Sequence, residues 1–216
     1  TIKYKKNANN KPEQSQSSSS TGGLLKSTGQ LGKVMSESVE ISQCVARSLL
    51  LNIIDENNTF FDDYNIHLHC PEGGIAKDGP SAGITMVTAL LSLALNKSIS
   101  PNIAMTGEVT LTGKILKIGG LKEKLLAAKR CKINTLLLPY DNYDDFYDDE
   151  YGIPKYLRQE FKDVHFVKNY NEVLHILFND CLPSIKDDGT NEFDNKYNNN
   201  DSMDFGNQSP EMPKPL

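Results

Sequence analysis

The chain has 216 residues, four cysteines and a net charge of −5. Apolar residues concentrate between Leu31 and Leu182, which leaves roughly 150 residues for one sizeable hydrophobic core. The mild acidity argues against a nucleic-acid-binding surface, which needs a basic patch. The wide spacing of the cysteines favours a reduced intracellular compartment. The most apolar stretch, residues 84–95, is too short to span a bilayer.

The two ends differ in composition from the middle of the chain. Residues 1–22 are rich in Lys, Asn and Ser, so we expect a disordered insertion or linker there. Residues 185–216 are rich in Asn and Asp, and we expect a disordered tail. Residues 23–184 are then the folded domain. Because the chain does not begin with Met and shows no signal or transit peptide, we also expect it to be a fragment of a longer protein.

Between these ends the pattern mixes helical and strand periodicity. Apolar residues at helical spacing predict a helix over residues 31–51, and alternation predicts a strand over 66–70. Residues 80–95 are apolar on most sides, which predicts a buried helix after a Gly/Pro-rich loop. The remaining predicted elements are a hairpin at 104–118, helices at 121–131, 156–161 and 172–178, and strands at 135–138 and 164–167. This order indicates an α/β (or α+β) fold with a mixed sheet and flanking helices.

The first candidate for chemistry is a serine in the sequence KDGPSAG, residues 77–83. Gly79 and Pro80 predict a tight turn, with Pro tolerated in the first turn of a helix. Ser81 then lies beside free backbone N–H groups and the positive end of the helix dipole, which favour an oxyanion. The alternative is that Asp78 or Ser81 only caps the helix.

The second candidate is a lysine on the helix that follows Gly119 and Gly120. Leu121, Lys124, Leu125 and Ala128 fall on one helical stripe, which directs Lys124 inward among apolar neighbours. The other basic residues of this helix lie off the stripe: Lys122, Lys129 and Arg130. A buried ammonium is costly, and desolvation favours the neutral amine, which could accept the hydroxyl proton of Ser81. A lysine that buries only its stem is the alternative.

Two further kinds of site are compatible with parts of the sequence. His67 and His69 lie two apart on one predicted strand, and with Asp78 they could form a Ser-His-Asp triad or a metal site, although two histidines alone are weak evidence for metal. Residues 107–114 resemble a phosphate-binding P-loop. That motif has four residues between its glycines where this chain has five, and Ile115 replaces the Mg²⁺-binding hydroxyl. We therefore expect no ATPase site in this chain.

Several segments resemble the proteolytic domain of Lon proteases: HLHCPEGGIAKDGPSAG, AMTGEVTLTGKILKIGGLKEKLLAAKR, TLLLP and VHFV. The resemblance begins near TGQLGKVMSESV and continues to about Phe178. It implies a Lon-type peptidase fold in which Ser81 is the nucleophile and Lys124 the general base. It also implies that Thr106 helps to orient the lysine. The supporting residues that it implies are Asp78, His67 and His69, and the backbone N–H groups of Ser81 and Ala82 would hold the oxyanion.

The resemblance further implies a serine endopeptidase that acts on unfolded or damaged proteins as part of an ATP-dependent homohexamer. We expect no cofactor or metal in this domain; ATP and Mg²⁺ belong to an AAA+ domain that the chain lacks. The residues of these segments resemble mitochondrial more than peroxisomal Lon proteases. This resemblance implies a soluble protein of the mitochondrial matrix, with no membrane or nucleic-acid partner. The alternative is a non-catalytic Lon-like oligomerisation module, as in some DNA-repair ATPases.

The sequence also departs from the family pattern. The family's domain opens with a pair of strands that contains a Trp, and this chain has no Trp. Because residues 1–22 have the composition of an insertion, we expect the fold to lack one sheet edge.

Overall fold

The computed structural model describes residues 1–5, 23–71, 74 and 76–183. Its strands are β1 (Ile2–Lys5), β2 (Leu25–Thr28), β3 (Tyr64–His69), β4 (Ile103–Met105), β5 (Glu108–Val109), β6 (Ile115–Leu116), β7 (Thr135–Pro139) and β8 (Asp163–Val167). Its α-helices are α1 (Lys33–Leu49), α2 (Phe60–Asp63), α3 (Gly83–Ala94), α4 (Leu121–Arg130), α5 (Tyr143–Tyr147), α6 (Lys155–Arg158) and α7 (Tyr170–Phe178). Short 3₁₀ turns precede α3 and α5, at Pro80–Ala82 and Tyr140–Asn142, and a π-helical turn, Leu50–Ile54, follows α1.

A parallel sheet of three strands, in the order β4-β7-β8, separates two hydrophobic cores. The central strand β7 is buried on both faces, as its run of apolar residues predicts. Because side chains alternate along a strand, Leu137 enters the first core while Leu136 and Leu138 enter the second. The helices α1, α3 and α7 supply the first core, and α4, α5 and α6 cover the opposite face.

A second sheet, in the order β1-β3-β2, has one antiparallel and one parallel pair, so it is the mixed sheet that the sequence predicts. Its edge strand β1 reverses the usual pattern, because Ile2 and Tyr4 face outward and are exposed. Lys3 faces inward, where its ammonium lies 5.0 Å from the ring centre of Phe60 and donates to the Leu93 carbonyl at 3.2 Å. The cation thus gains an aromatic face and a hydrogen bond.

The first five residues therefore differ from the sequence prediction. The composition of residues 1–22 predicts no structure and the loss of a sheet edge, yet Ile2–Lys5 form the edge strand β1. The rest of that predicted segment, residues 6–22, and the predicted tail, residues 185–216, lie outside the described residues.

The hairpin predicted at 104–118 is only partly present. Residues 103–105 form β4 of the parallel sheet, and the hairpin itself pairs Glu108–Val109 with Ile115–Leu116. Its turn closes at Gly113, whose φ of +81° is readily reached by glycine. Leu111, which fits the alternating pattern, is 67% exposed at the tip. A period of two cannot distinguish two strands of one hairpin from strands in different sheets.

Candidate active site

Ser81 lies in the 3₁₀ turn that leads into α3, and its backbone is held firmly. Its carbonyl accepts two hydrogen bonds, from the Gly107 amide at 2.8 Å and from the Thr106 hydroxyl at 3.0 Å. The Gly107 carbonyl in turn accepts from the Ile84 amide at 3.1 Å. These bonds fix the serine turn against the segment that leaves the carboxyl end of β4, an edge where ligand sites are common in parallel sheets.

Gly83 allows this close approach, because it leaves room for the backbone of the neighbouring strand. A Cβ built on Gly83 would lie 2.9 Å from the Val109 amide nitrogen, a backbone atom that cannot easily move. The glycine that follows Ser81 and Ala82 is therefore required by the packing of α3 on β5.

Lys124 reaches Ser81 from the opposite side of the parallel sheet. Its Nζ lies 3.2 Å from Ser81 Oγ, within hydrogen-bond distance. The predicted helix phase is confirmed, because Leu121, Leu125 and Ala128 are buried on the same face of α4. Lys124 itself is half-buried, while Lys122 is exposed, so the inward direction is correct and the burial is partial.

Thr106 is buried next to this pair, but its partner differs from the one that the family resemblance implies. Its hydroxyl donates to the Ser81 carbonyl. Among the described residues no hydrogen bond joins it to Lys124. In this structure Thr106 therefore holds the backbone of Ser81.

Asp78 caps a helix, although not the one that the sequence suggests. Its Oδ1 accepts from the amides of Val34 at 3.0 Å and Met35 at 3.3 Å, at the start of α1. The N-cap residue of α1 is Gly32, which has no side chain to serve this purpose. A Cβ on Gly32 would lie 2.3 Å from Asp78 Cγ, so the glycine makes room for the carboxylate. Asp78 thereby ties the loop before Ser81 to α1.

His67 and His69 face the same side of β3, as predicted, and share one partner. The hydroxyl oxygen of Thr28 lies 2.9 Å from His67 Nε2 and 2.8 Å from His69 Nδ1. Within the described part of the chain, neither histidine has a hydrogen bond to Ser81 or Asp78. The structure therefore does not bring a Ser-His-Asp triad together.

The described residues form neither a metal site nor a phosphate-binding loop. In residues 1–5, 23–71, 74 and 76–183, no cluster of three His, Cys, Asp or Glu side chains is arranged to bind a metal ion. Residues 107–114 form β5 and a tight turn, not the strand–loop–helix context of a phosphate-binding loop. None of the helices in this part of the chain has the length and apolarity needed to cross a membrane.

Sequence reasoning missed two residues that shape the site, Gly32 and Asn142. Gly32 leaves room for Asp78, which lies 46 residues later in the chain. Asn142 is fully buried, and its amide binds the backbone of Ile118, just before α4. A polar residue three positions after an apolar strand was the available signal for Asn142, but its partner depends on the tertiary fold.

The chain matches the family model described as the Lon protease (S16) C-terminal proteolytic domain over residues 14–180. It is 51% identical to a mitochondrial Lon protease homolog of Phaeodactylum tricornutum over 157 residues, 73% of this chain and 17% of that protein. It is 51% identical to the Bos taurus homolog over 72% of this chain and 16% of that protein. The Homo sapiens homolog is 47% identical over 79% of this chain and 17% of that protein. The chain thus spans about a sixth of the length of these relatives.

Proposed function

The chain belongs to the Lon protease family, and from that premise we propose that Ser81 and Lys124 are the nucleophile and general base of its peptidase site. The observation that carries the proposal is the 3.2 Å contact between Lys124 Nζ and Ser81 Oγ. A lysine at this distance can replace the histidine of a triad, because a neutral amine is a sufficient proton acceptor.

The reaction that fits this pair is acyl transfer. Ser81 Oγ attacks the scissile carbonyl as Lys124 Nζ takes the hydroxyl proton, and the resulting oxyanion is held by backbone N–H groups around Ser81 and Ala82. The protonated Lys124 then gives its proton to the leaving amine, which leaves an ester on Ser81. Lys124 next takes a proton from water, the hydroxide attacks the ester, and the acid is released as Ser81 regains its proton.

Thr106 and Asp78 support this chemistry from outside the reacting atoms. Thr106 and the Gly107 amide fix the Ser81 carbonyl, which leaves rotation of the side chain as the main freedom of the nucleophile. Asp78 holds the preceding loop against α1. Holding a nucleophile and base in a reactive geometry contributes several kcal/mol to catalysis. His67 and His69 support the strand that leads into this loop.

The names of the relatives supply the wider proposal. They are called mitochondrial Lon protease homologs, and this chain covers about a sixth of their length. We place the chain in the mitochondrial matrix, in a homohexamer whose AAA+ domain uses ATP and Mg²⁺ to unfold damaged proteins. In that arrangement the present domain holds no cofactor and cleaves the delivered polypeptide.

A fluorophosphonate probe and a short unstructured peptide test the catalytic pair directly. Wild-type chain should be labelled at Ser81 and should cleave the peptide. Lys124→Gln should lower both rates by on the order of 10²–10⁴. Lys122→Gln is the matched control on the same helix turn, and because its side chain is exposed it should behave as wild type.

The same experiment distinguishes the peptidase from the non-catalytic module. A pure oligomerisation module would leave Ser81 unlabelled in the wild type. A large effect of Lys122→Gln with a silent Lys124→Gln would show that the wrong lysine had been chosen.

A further inference from the structure

Asn142 is fully buried in the 3₁₀ turn before α5, and its amide binds both backbone groups of one residue. Its Oδ1 accepts from the Ile118 amide at 3.0 Å, and its Nδ2 donates to the Ile118 carbonyl at 2.9 Å. The Asn142 side chain therefore pairs with Ile118 as the backbone of a neighbouring strand would. Without it, both backbone groups of Ile118 would lose these partners in a buried setting.

Asp145 determines the orientation of the Asn142 side-chain amide. Its Oδ2 accepts from Asn142 Nδ2 at 2.7 Å, and its Oδ1 accepts from Lys117 at 2.8 Å. Desolvation would raise the pKa of Asp145, but the hydrogen bonds from Lys117 and Asn142 outweigh it and lower the pKa. Because an ionised carboxylate only accepts, Nδ2 must face Asp145 and Oδ1 must face the Ile118 amide.

The residue that Asn142 holds stands immediately before a joint of two glycines. Gly119 and Gly120 follow Ile118, and Gly120 adopts a left-handed φ of +65° at the N-cap of α4. The amide of Lys124 bonds the Gly120 carbonyl at 3.2 Å and closes the first turn of the helix. Two glycines in a row permit many backbone directions. A fixed point before them therefore restricts where the first turn of α4 can lie.

We propose that Asn142 is a positioning residue for Lys124, acting through the Ile118 backbone and the Gly119–Gly120 joint. This inference rests on the proposed function, because it concerns the distance from Lys124 Nζ to Ser81 Oγ. The packing of Leu121 and Leu125 sets the face of α4. Asn142 sets the position of its start, which determines how far the base reaches. A displacement of about 1 Å at such a pair can lower the reaction rate about 10²-fold.

The test measures the labelling of Ser81 in Asn142→Ala as a function of fluorophosphonate concentration. This separates the maximal labelling rate, which depends on the base, from the apparent affinity for the probe. We expect the maximal rate to fall at least about 10-fold and the affinity to stay within about 2-fold. Lys117→Gln is the matched control, since it removes the exposed ion pair to Asp145 and leaves both bonds to Ile118. It should label as wild type.

A second comparison separates positioning from a general loss of stability. Leu177→Ala removes buried apolar atoms from the first core, away from the Ile118 segment, and so lowers the melting temperature. If its maximal labelling rate fell as far as that of Asn142→Ala for the same drop in melting temperature, the role of Asn142 would be structural only. Asn142→Ser retains a small polar group and replaces the alanine variant if that variant does not fold. Wild-type labelling in this serine variant would also overturn the proposal.

The outcomes distinguish this inference from the proposed function. Unlabelled wild-type Ser81, or normal labelling in Lys124→Gln, would overturn the catalytic pair. Normal labelling in the Asn142 variant, with Lys124→Gln unreactive, would overturn only the positioning role.

Discussion

The capping of α1 by Asp78 can be tested by removing either the carboxylate or the space that it occupies. In Asp78→Ala, the amides of Val34 and Met35 lose their acceptor. In Gly32→Ala, the new methyl group would lie 2.3 Å from Asp78 Cγ, 2.5 Å from its Cβ and 2.6 Å from its Oδ1, so the whole side chain must move away. The backbone of Gly32, with φ of −68°, accepts alanine without strain. The three atoms nearest to the new methyl group all belong to the Asp78 side chain.

The expected magnitudes follow from the geometry. Loss of an N-cap acceptor costs about 1 kcal/mol, and loss of a negative charge at a helix N-terminus costs about 0.3–1 kcal/mol. Asp78 is exposed, so we expect the lower half of the combined range, about 1.3–1.7 kcal/mol, for Asp78→Ala. Asp78→Asn keeps the acceptor and should cost about 0.5 kcal/mol. Gly32→Ala should cost about 1–3 kcal/mol, as overpacking does.

Thermal and urea unfolding of the single and double variants measure these values. For a domain of this size, 1 kcal/mol corresponds to about 2–4 °C in melting temperature. Asp78→Ala removes Cγ and Oδ1 but keeps Cβ, which lies 2.5 Å from the new methyl group, so only part of the clash is relieved. Gly32→Ala should therefore cost somewhat less in the Asp78→Ala background than in the wild type. The coupling should exceed about 0.5 kcal/mol.

Two results would contradict the reasoning. Strict additivity of the two substitutions would show that Asp78 Cγ and Oδ1 do not contribute to the clash at Gly32. Equal losses in Asp78→Ala and Asp78→Asn would show that the charge, and not the acceptor, provides the stabilisation.

The buried hydroxyl pair of Thr88 and Tyr170, 2.6 Å apart, gives an asymmetric prediction. Thr88→Val leaves the tyrosine hydroxyl unpaired and should lower the free energy of unfolding, measured in urea, by about 1–3 kcal/mol. Tyr170→Phe should lower it by about 1 kcal/mol, and the reverse order would refute the prediction. Burial raises the pKa of Tyr170, so above about pH 10 the unfolded state releases this proton first. Wild-type stability should therefore fall more steeply than that of Tyr170→Phe, by up to about 1.4 kcal/mol per pH unit. Gly83→Ala should lower the free energy of unfolding by about 1–3 kcal/mol and abolish the labelling of Ser81, because its Cβ meets the Val109 amide. A Cβ on Gly74 has open space, so Gly74→Ala should change the free energy of unfolding by no more than about 0.5 kcal/mol.

The sequence predicts the parts of the site that depend on local periodicity. The direction of Lys124 follows from the 3.6-residue repeat of its apolar neighbours, and the structure confirms the phase of α4. Ser81 follows from the Gly-Pro turn at the start of a buried helix, which the structure also contains. The α/β class follows from the alternation of helix and strand patterns, and the doubly buried strand β7 agrees with its apolar run.

The features that the sequence does not predict depend on partners distant along the chain. Strand β1 escapes prediction because its inward residue is Lys3 and its outward residues are apolar, the reverse of the usual pattern. The role of Asp78 depends on a contact across 44 residues with Val34. The family resemblance pairs Thr106 with the lysine, and only the tertiary fold shows that its hydroxyl meets the Ser81 carbonyl.

The parallel sheet places the two members of the candidate pair in separately packed halves of the domain. Ser81 precedes α3 of the first core, and Lys124 lies on α4 of the second. Proteins commonly open locally in units smaller than the whole domain, as hydrogen exchange detects. A slight separation of the halves would part Ser81 from Lys124 while leaving both halves folded. Reactivity should therefore disappear at a lower temperature than circular dichroism does, and any partner that clamps the halves together would activate the domain without touching Ser81.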